Sequence, residues 1–464
     1  MISRRNFIQY GSAALASVLT ASQSAARPVR KPDVVFVLAD DLRADGFASL
    51  GNGVVKTPNF DAIVNRGLRF HKAYTMGSMT GAVCLPSRTM LLTGRSLFRA
   101  TDTASGAGRD TYTFPRAMKA AGYATLHAGK FGNSPKKITD EFDETSDPGQ
   151  STEVANAVIG FVQRRQQNEP VFIYMAGPDP HDPQFAPASF YAQYRPEDIP
   201  LPAAFAPYQP FDNGEMAVRD EMTLPWPRTP ADVRGKLARY YASISYLDAE
   251  FGRVVQALKD AGRYDNTIFV IAGDNGLSLG EHGLLGKQNL YEFGGMHVPL
   301  VFAGPGIPRG ETDALAYLMD VFPTVCELSG ARIPGAVEGS SLVPVIRGGR
   351  RRVREWLYTA YSHGQRAVTD GRWKLIRYPL IDKTQLFDLR ADSHEAIDLS
   401  SRPEQARRVK AMLKQLARLQ REYGDSDPLT VAEPLRPGWT PAHLTADQIR
   451  YQAEETARCK GLAR

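Results

Sequence analysis

Cysteine is scarce: three residues in 464. That excludes a disulfide-stapled scaffold, and no Cys/His spacing of the zinc-binding kind occurs. There is no apolar run long enough to make a stable membrane anchor and no internal repeat. Charge of one sign is not dominant either. Lys and Arg total 56 against 50 Asp and Glu, a net charge of +6. So mild an excess gives no reason to expect nucleic acid, and it suits a small anionic ligand equally well. What remains is an ordinary globular composition, 43% hydrophobic and 23% charged, which rules out disordered, collagen-like and coiled-coil chains. The length predicts two or three domains, or one large α/β unit that absorbs most of the chain.

Residues 1–26 read as an address. Ser3-Arg4-Arg5-Asn6-Phe7-Ile8 is a twin-arginine pattern, a weakly apolar stretch follows from Tyr10 to Ala21, and Ser24-Ala25-Ala26 is a small-residue cleavage site. Such signals serve proteins that fold before crossing the bacterial inner membrane. The expectation is therefore twin-arginine export machinery as a partner, a periplasmic or secreted location, and any cytosolic modification complete before export.

From Pro32 strands and helices alternate. Val34–Ala39, Tyr123–Ala128, Val171–Ala176, Thr267–Ala272 and Val298–Ala303 are apolar runs of the kind buried on both faces of a parallel sheet. Between them, helices are predicted from Thr57-Pro58 to Gly67, over Phe114–Ala121, Val154–Gln167 and Ala231–Ala261. This is the βαβ pattern of an α/β fold with a large, mainly parallel sheet flanked by helices. Residues 178–230, rich in proline and aromatics, read as long loops over one face. From about Glu355 short strand-like runs (Trp356–Ala360, Gln365–Thr369, Trp373–Tyr378, Gln385–Leu389) predict a smaller antiparallel subdomain, followed by a helix over Pro403–Glu422 and a weakly structured tail after Asp425. The expected division is a catalytic domain over 27–350 and a C-terminal subdomain over 351–464, joined near the arginines at 347, 350, 351, 352 and 354.

The chemistry-bearing residues fall at strand ends, where α/β sheets place ligands. Asp40-Asp41 follows the first buried strand and Asp274-Asn275 follows another. Adjacent carboxylates repel unless neutralised, and three carboxylates with an amide make an all-oxygen site for a hard cation, Ca²⁺ or alternatively Mg²⁺. Cys84-Leu85-Pro86-Ser87-Arg88 opens a helix predicted to end near Gly94. Cys84 then sits where a helix N-terminus favours an anion, and Arg88, one turn on, can point a forked donor at the same spot. An unmodified Cys84 is open to two readings, a low-pKa thiolate nucleophile or an inert buried cysteine. Cys326, Cys459 and His297 read as structural.

Cys-x-Pro-Ser-Arg followed by Leu-Leu-Thr-Gly-Arg resembles the signature of the type I, formylglycine-dependent sulfatases of the alkaline phosphatase superfamily. The rest of the chain agrees in order over roughly residues 32–400: Asp40-Asp41, Gly129-Lys130, Pro180-His181, Asp274-Asn275, Lys287 in Gly-Lys-Gln-Asn-Leu-Tyr-Glu, the stretch beginning at Asp320, and Leu386-Phe-Asp-Leu. The resemblance implies that a formylglycine-generating enzyme converts Cys84 to formylglycine (3-oxoalanine). The modified Cys84 would join Asp40, Asp41, Asp274 and Asn275 around the cation. Arg88, Lys130 and Lys287 would hold the sulfate oxygens, and His181, with Lys287, would protonate the leaving alcohol. The hydrated aldehyde offers a second hydroxyl that can drive sulfate off, which a plain serine or cysteine ester lacks.

One departure is expected to matter. The family has histidine two positions after the Gly-Lys lysine, where this chain has Gly132. That histidine helps release sulfate. His127, from the preceding strand, and His282, near the Asp274 loop, are the candidates to substitute or to contact substrate, although His127 reads first as a strand histidine facing the core. The expected activity is hydrolysis of a sulfate ester, with a sugar sulfate as the substrate. A phosphodiesterase or phosphonate monoester hydrolase of the same superfamily, or a non-catalytic anion-binding relative, stand as alternatives.

Overall fold

A computed structural model describes residues 30–104, 112–133 and 135–461. The twin-arginine segment lies outside them. The described residues from Lys31 onward pack as one compact unit. Its centre is an eight-stranded sheet built from β1 (Asp33–Ala39), β2 (Leu68–Tyr74), β4 (Ala124–Gly129), β5 (Glu144–Ser146), β6 (Val171–Ala176), β7 (Thr267–Gly273), β8 (His297–Ala303) and β9 (Gly310–Tyr317). The order is β5-β4-β6-β1-β7-β8-β2-β9, with β8 alone running against its neighbours. The expected large, mainly parallel sheet is therefore present. Its central strands are buried throughout their length, which is why Val34–Ala39 and Val171–Ala176 read as unbroken apolar runs.

Helices cover both faces. On one, Pro58–Val64, Ser151–Arg164 and the 31-residue Pro230–Asp260 pack over Val35, Val37, Ile173 and Ile271. The last opens in the way its sequence dictates: the Thr229 side chain accepts from the Asp232 N–H and proline fills the first turn. On the other face, Cys84–Thr93, Phe114–Ala120 and Val321–Ser329 cover Phe36, Phe172, Tyr174 and Phe302.

A second, five-stranded sheet has the order β13-β12-β11-β10-β3. It comprises β10 (Leu357–Tyr361), β11 (Gln365–Thr369), β12 (Trp373–Tyr378) and β13 (Lys383–Asp388), antiparallel as predicted, with β3 (Gly77–Ser78) added in parallel at the edge. That edge strand comes from the first quarter of the chain, a junction that short-range sequence pattern does not announce. The helix Ala406–Tyr423 packs Met412, Leu416 and Leu419 against this sheet. The tail departs from expectation. Ala446–Gly461 is a helix, held where Gln452 Nε2 donates to the Leu224 carbonyl at 3.1 Å. No helix among the described residues is long and apolar enough to cross a membrane.

Candidate active site

The carboxyl ends of β1 and β7 lie side by side, with Ala39 paired to Gly273. The residues that follow therefore meet. Asp40 is fully buried, and Asp41 takes a left-handed conformation (φ 62°) unusual for a residue with a side chain. Its N–H donates to Asp274 Oδ1 at 3.1 Å, and Asn275 Nδ2 donates to Asp41 Oδ1 at 2.7 Å. The helix Cys84–Thr93 places Cys84 in its first turn against this pair. The Cys84 thiol donates to Asp40 Oδ1 at 3.1 Å and lies 3.6 Å from Asp41 Oδ1. The helix ends at Gly94, where φ is 66° and a Cβ would meet Val337 at 2.8 Å, so glycine alone fits.

Basic groups close the cluster. Arg88 Nε donates to Asp274 Oδ2 at 2.8 Å, and its Nη2 lies 3.6 Å from Asp40 Oδ2. Both terminal nitrogens of that guanidinium make no hydrogen bond among the described residues. Lys130 Nζ donates to Asp40 Oδ2 at 3.0 Å. The Gly129 before it sits at φ 145° with its Cα pressed on Ala176; a Cβ would come within 2.0 Å of that carbonyl. This is the physical reason for glycine in the Gly-Lys pair. Lys287 Nζ donates to Asp41 Oδ1 at 2.7 Å and to Cys84 Sγ at 3.2 Å. His181 brings Nε2 to 3.7 Å from Asp41 Oδ2, while its Nδ1 lies 2.7 Å from the Asp182 carbonyl and 3.1 Å from the Asp182 carboxylate.

The electrostatics follow from this crowding. Burial would raise Asp40, but the charges of His181, Arg88, Lys130 and Lys287 outweigh it and hold its carboxyl well below the usual range. Asp274, pushed by burial and by Asp40 against the pull of Arg88, rises to about 6. Burial and the carboxylates of Asp274 and Asp40 push the Cys84 thiol well above its ordinary value, and Lys287 only partly offsets them. An unmodified Cys84 is thus a neutral thiol, and the low-pKa thiolate reading fails: burial first, and then the carboxylates, outweigh the helix terminus. Burial would lower Lys287, but the carboxylates of Asp41, Asp220 and Asp40 outweigh it and keep the ammonium charged.

A divalent cation fits these residues. Asp40, Asp41, Cys84 and His181 place ligand atoms within 4.8 Å of one another. Asn275 Oδ1 is buried beside them with no hydrogen-bond partner among the described residues, which a buried amide oxygen does not leave unmet without cost. The oxygen-rich donor set suits a hard ion.

The two remaining histidine candidates lie elsewhere. His127 is fully buried on β4, its ring 5.1 Å from that of Tyr174 and 5.4 Å from Phe142. Burial and the nearby Arg88 charge press it down to about 3, so it is neutral and a poor base. It is a core residue: of the readings the sequence leaves for it, the core-facing strand histidine holds and the substrate contact does not. His282 stacks on Tyr291 with ring centroids 3.8 Å apart and lines a different cavity. Burial lowers it to about 4. His297 is structural as expected: its Nε2 lies 2.8 Å from the His71 carbonyl, and it stacks on Tyr74. Cys326 and Cys459 are buried and unpaired.

Sequence reasoning missed the layer behind His181. Arg219 donates through Nη1 and Nη2 to the two Asp182 carboxylate oxygens, each at 2.9 Å, and Gln288 Nε2 donates to Asp220 Oδ2 at 2.8 Å. Asp182 carried a signal, its place beside His181. Arg219 carried none, since it lies in the loop-rich stretch where no periodicity marks position.

The fold and this cluster define a member of the alkaline phosphatase superfamily. The Sulfatase family model matches residues 32–331, and the model of the N-sulphoglucosamine sulphohydrolase C-terminal region matches 280–422. The chain belongs to the formylglycine-dependent sulfatase family and is a sulfuric ester hydrolase. Among its relatives, an N-acetylglucosamine-6-O-sulfatase of Bacteroides thetaiotaomicron is 25% identical over 86% of this chain and 88% of its own length. A choline-sulfatase of Rhizobium meliloti is 28% identical over 80% and 83%. In structure, a protein solved with its substrate D-glucosamine-2-N,6-O-disulfate superimposes with a TM-score of 0.71 at 22% identity, covering 86% of this chain and 99% of the other. A phosphonate monoester hydrolase of Agrobacterium radiobacter gives 0.71 at 20%, covering 85% and 96%.

Proposed function

We propose that the chain hydrolyses a sulfate ester of a carbohydrate, using Cys84 converted to formylglycine and a divalent cation held by Asp40, Asp41, Asp274 and Asn275. Ca²⁺ is the ion we favour, with Mg²⁺ the alternative. The observation that carries the reading is the convergence on Cys84 Sγ of Asp40, Asp41 and Lys287 within 3.6 Å. When bound, the cation would supply fixed positive charge where the nucleophile and a sulfate oxygen carry negative charge.

The protein's own residues then divide the work. Arg88, with unspent donors, binds sulfate oxygens, and Lys130 and Lys287 supply further donors from either side. Preorganised donors of this kind are worth about 3 kcal/mol each in a dry site. His181 has Nδ1 occupied by Asp182, which leaves Nε2 to deliver a proton to the departing alcohol. Such general-acid help contributes about 10² to 10⁴-fold. Arg219 holds Asp182, and so the orientation of His181, through its two-pronged contact.

A carbohydrate substrate is supported by the relative that acts as an N-acetylglucosamine-6-O-sulfatase and by the structural neighbour solved with a disulfated glucosamine. Export by the twin-arginine route to the periplasm or beyond, after modification of Cys84 in the cytosol by a formylglycine-generating enzyme, rests on Arg4-Arg5 and the cleavage-site residues alone.

The test pairs two measurements on protein made alongside a maturing enzyme. The peptide spanning Cys84 is weighed by mass spectrometry, and hydrolysis of 4-nitrophenyl sulfate is compared with that of a phenylphosphonate ester. Aldehyde mass with preferred sulfate turnover is expected. Full activity with an unmodified thiol, or preference for the phosphonate, overturns the reading.

A further inference from the structure

The two proton donors of the site are steadied from one short stretch of chain. Arg219 grips the Asp182 carboxylate with both terminal nitrogens, and Asp182 flanks His181. Asp220 accepts from Gln288 Nε2 at 2.8 Å. Glu221 accepts the N–H groups of Leu285 and Gly286 at 3.0 and 2.8 Å, immediately before Lys287. The chain then coils into the 3₁₀ turn Glu221–Thr223, where the Met222 N–H donates to the Arg219 carbonyl at 3.0 Å. Three consecutive residues thus reach the segments that carry His181 and Lys287, and the seat of this turn decides where both nitrogens point.

The outer side of the turn is covered by the end of the chain. The helix Ala446–Gly461 sets Gln452 and Thr456 on it. Gln452 Nε2 donates to the Leu224 carbonyl at 3.1 Å, and Thr456 Oγ1 donates to the Met222 carbonyl at 3.4 Å. A second clamp lies in the segment leading to that helix. The Asp212 N–H donates to the Pro437 carbonyl at 2.8 Å, the Trp439 N–H donates to the Pro210 carbonyl at 3.2 Å, and the Trp439 ring meets Trp226 edge-on at 5.0 Å. The tail therefore grips the loop before the turn, at 210–212, and again at and after it, at 222–226.

Two facts set this tail apart from the rest of the framework. It lies beyond residue 422, where the matches to the family models end. Its helix also buries little apolar surface: Ile449 is 54% exposed and Tyr451 39%, and the contacts that dock it are mainly polar. A helix docked in this way adds little to a hydrophobic core. What it adds is a fixed position for the backbone beneath it, and displacing a reacting group by about 1 Å can cost 10²-fold in rate.

We infer that the C-terminal helix is a positioning element for proton delivery: Gln452 and Thr456 hold the 219–224 stretch in place and, through Arg219 and Asp182, aim His181 at the leaving group. The inference rests on the reading of His181 as general acid.

The test uses the full-length mature chain and a series of aryl sulfates from 4-nitrophenyl to phenyl. A nitrophenolate leaves with little help and a phenolate needs a proton, so a misplaced acid steepens the dependence of kcat on the leaving group. His181→Ala should slow phenyl sulfate about 10²-fold more than 4-nitrophenyl sulfate. No steepening in that variant overturns the general-acid reading, and this inference with it. The double variant Gln452→Leu, Thr456→Val removes both donors at nearly constant volume. It should slow phenyl sulfate about tenfold and 4-nitrophenyl sulfate less than about twofold. Arg219→Lys should show the same selectivity, and adding the helix pair to it should cost little more, because both act along one path. Cys459→Arg forces a long charged side chain into a position that is 1% exposed, which lifts the helix by another route. Faster amide exchange over 446–461 reports the release, and the same selective loss should accompany it. If His181→Ala steepens the dependence while the helix variants slow both substrates equally, or release the helix with both rates unchanged, the inference falls and the general-acid reading stands.

Discussion

Arg88 Nε donates to Asp274 Oδ2 at 2.8 Å with both side chains fully buried, tying the helix that bears Cys84 to the end of β7. One contact thus aligns the nucleophile position with half of the acidic cluster. It also predicts two separable effects. Arg88→Lys keeps the charge but loses the fork, and kcat for an aryl sulfate should fall about 10²-fold or more with little loss of stability. Arg88→Ala leaves the buried Asp274 without the guanidinium paired to it at 2.8 Å, and should in addition destabilise the fold by about 3–5 kcal/mol. Denaturant melts beside steady-state kinetics check both; equal stability loss in the two variants would contradict the assignment.

The cation reading predicts a stability effect independent of turnover. Asp40, Asp41 and Asp274 converge beside the unpartnered Asn275 oxygen, so an ion that binds the folded chain alone raises its stability by mass action. Exhaustive chelation should lower Tm and abolish hydrolysis. Ca²⁺ should restore both, and Asn275→Ala should require more Ca²⁺ for the same Tm. A Tm indifferent to chelator and to added Ca²⁺ would refute it.

Much of this arrangement is legible in the sequence because it is local. Strands buried on both faces announce themselves as apolar runs, and the residues that follow them inherit a position at the sheet's carboxyl edge. Asp40-Asp41, Asp274-Asn275 and the helix opening at Cys84 are all of this kind. What escapes is non-local. β2, with its alternating surroundings and a bulge between Phe70 and Ala73, has no clean period. β3 is two residues long and takes its identity from pairing with β10. Arg219 reaches Asp182 from 37 residues away, across a stretch with only short helical turns. The helix Ala446–Gly461 is largely polar and docks through a few contacts such as Gln452, so apolar periodicity could not reveal it.

His127 supplies a pH prediction. Its ring sits in an aromatic core at a pKa of about 3, against 6.5 in an unfolded chain. Between those values the unfolded chain binds the extra proton, so this contribution is complete above pH 6.5 and is lost as pH falls towards 3. At pH 4 the loss is about 3 kcal/mol, at about 1.4 kcal/mol per pH unit. His127→Phe should keep the packing, retain activity within a few-fold at neutral pH, and flatten this acid-side decline. Tm measured from pH 7 to 4 decides it; parallel declines in wild type and variant would argue against a neutral core histidine.

Gly132 gives the sharpest kinetic prediction. Neither His127 nor His282 stands in for the histidine that the family carries there: one is locked in the core and the other stacks on Tyr291. A spent nucleophile must lose a proton before sulfate can leave, and without a base in reach that loss should slow by about 10²-fold or more. Wild type mixed rapidly with a chromogenic aryl sulfate should therefore release a burst of alcohol equal to the enzyme, then turn over slowly. The backbone has room for the missing group: Gly132 is exposed, and a Cβ added to it meets nothing within 4 Å. Gly132 does not take a positive φ, so a side chain carries no backbone strain and should stabilise the chain by about 0.4–1 kcal/mol through the unfolded state. Gly132→His should fold normally, lose the burst and raise the steady rate, with Gly132→Ala as the control that changes the backbone without supplying a base. A wild type with no burst, or a Gly132→His that turns over no faster than Gly132→Ala, would show that sulfate release does not wait on this position.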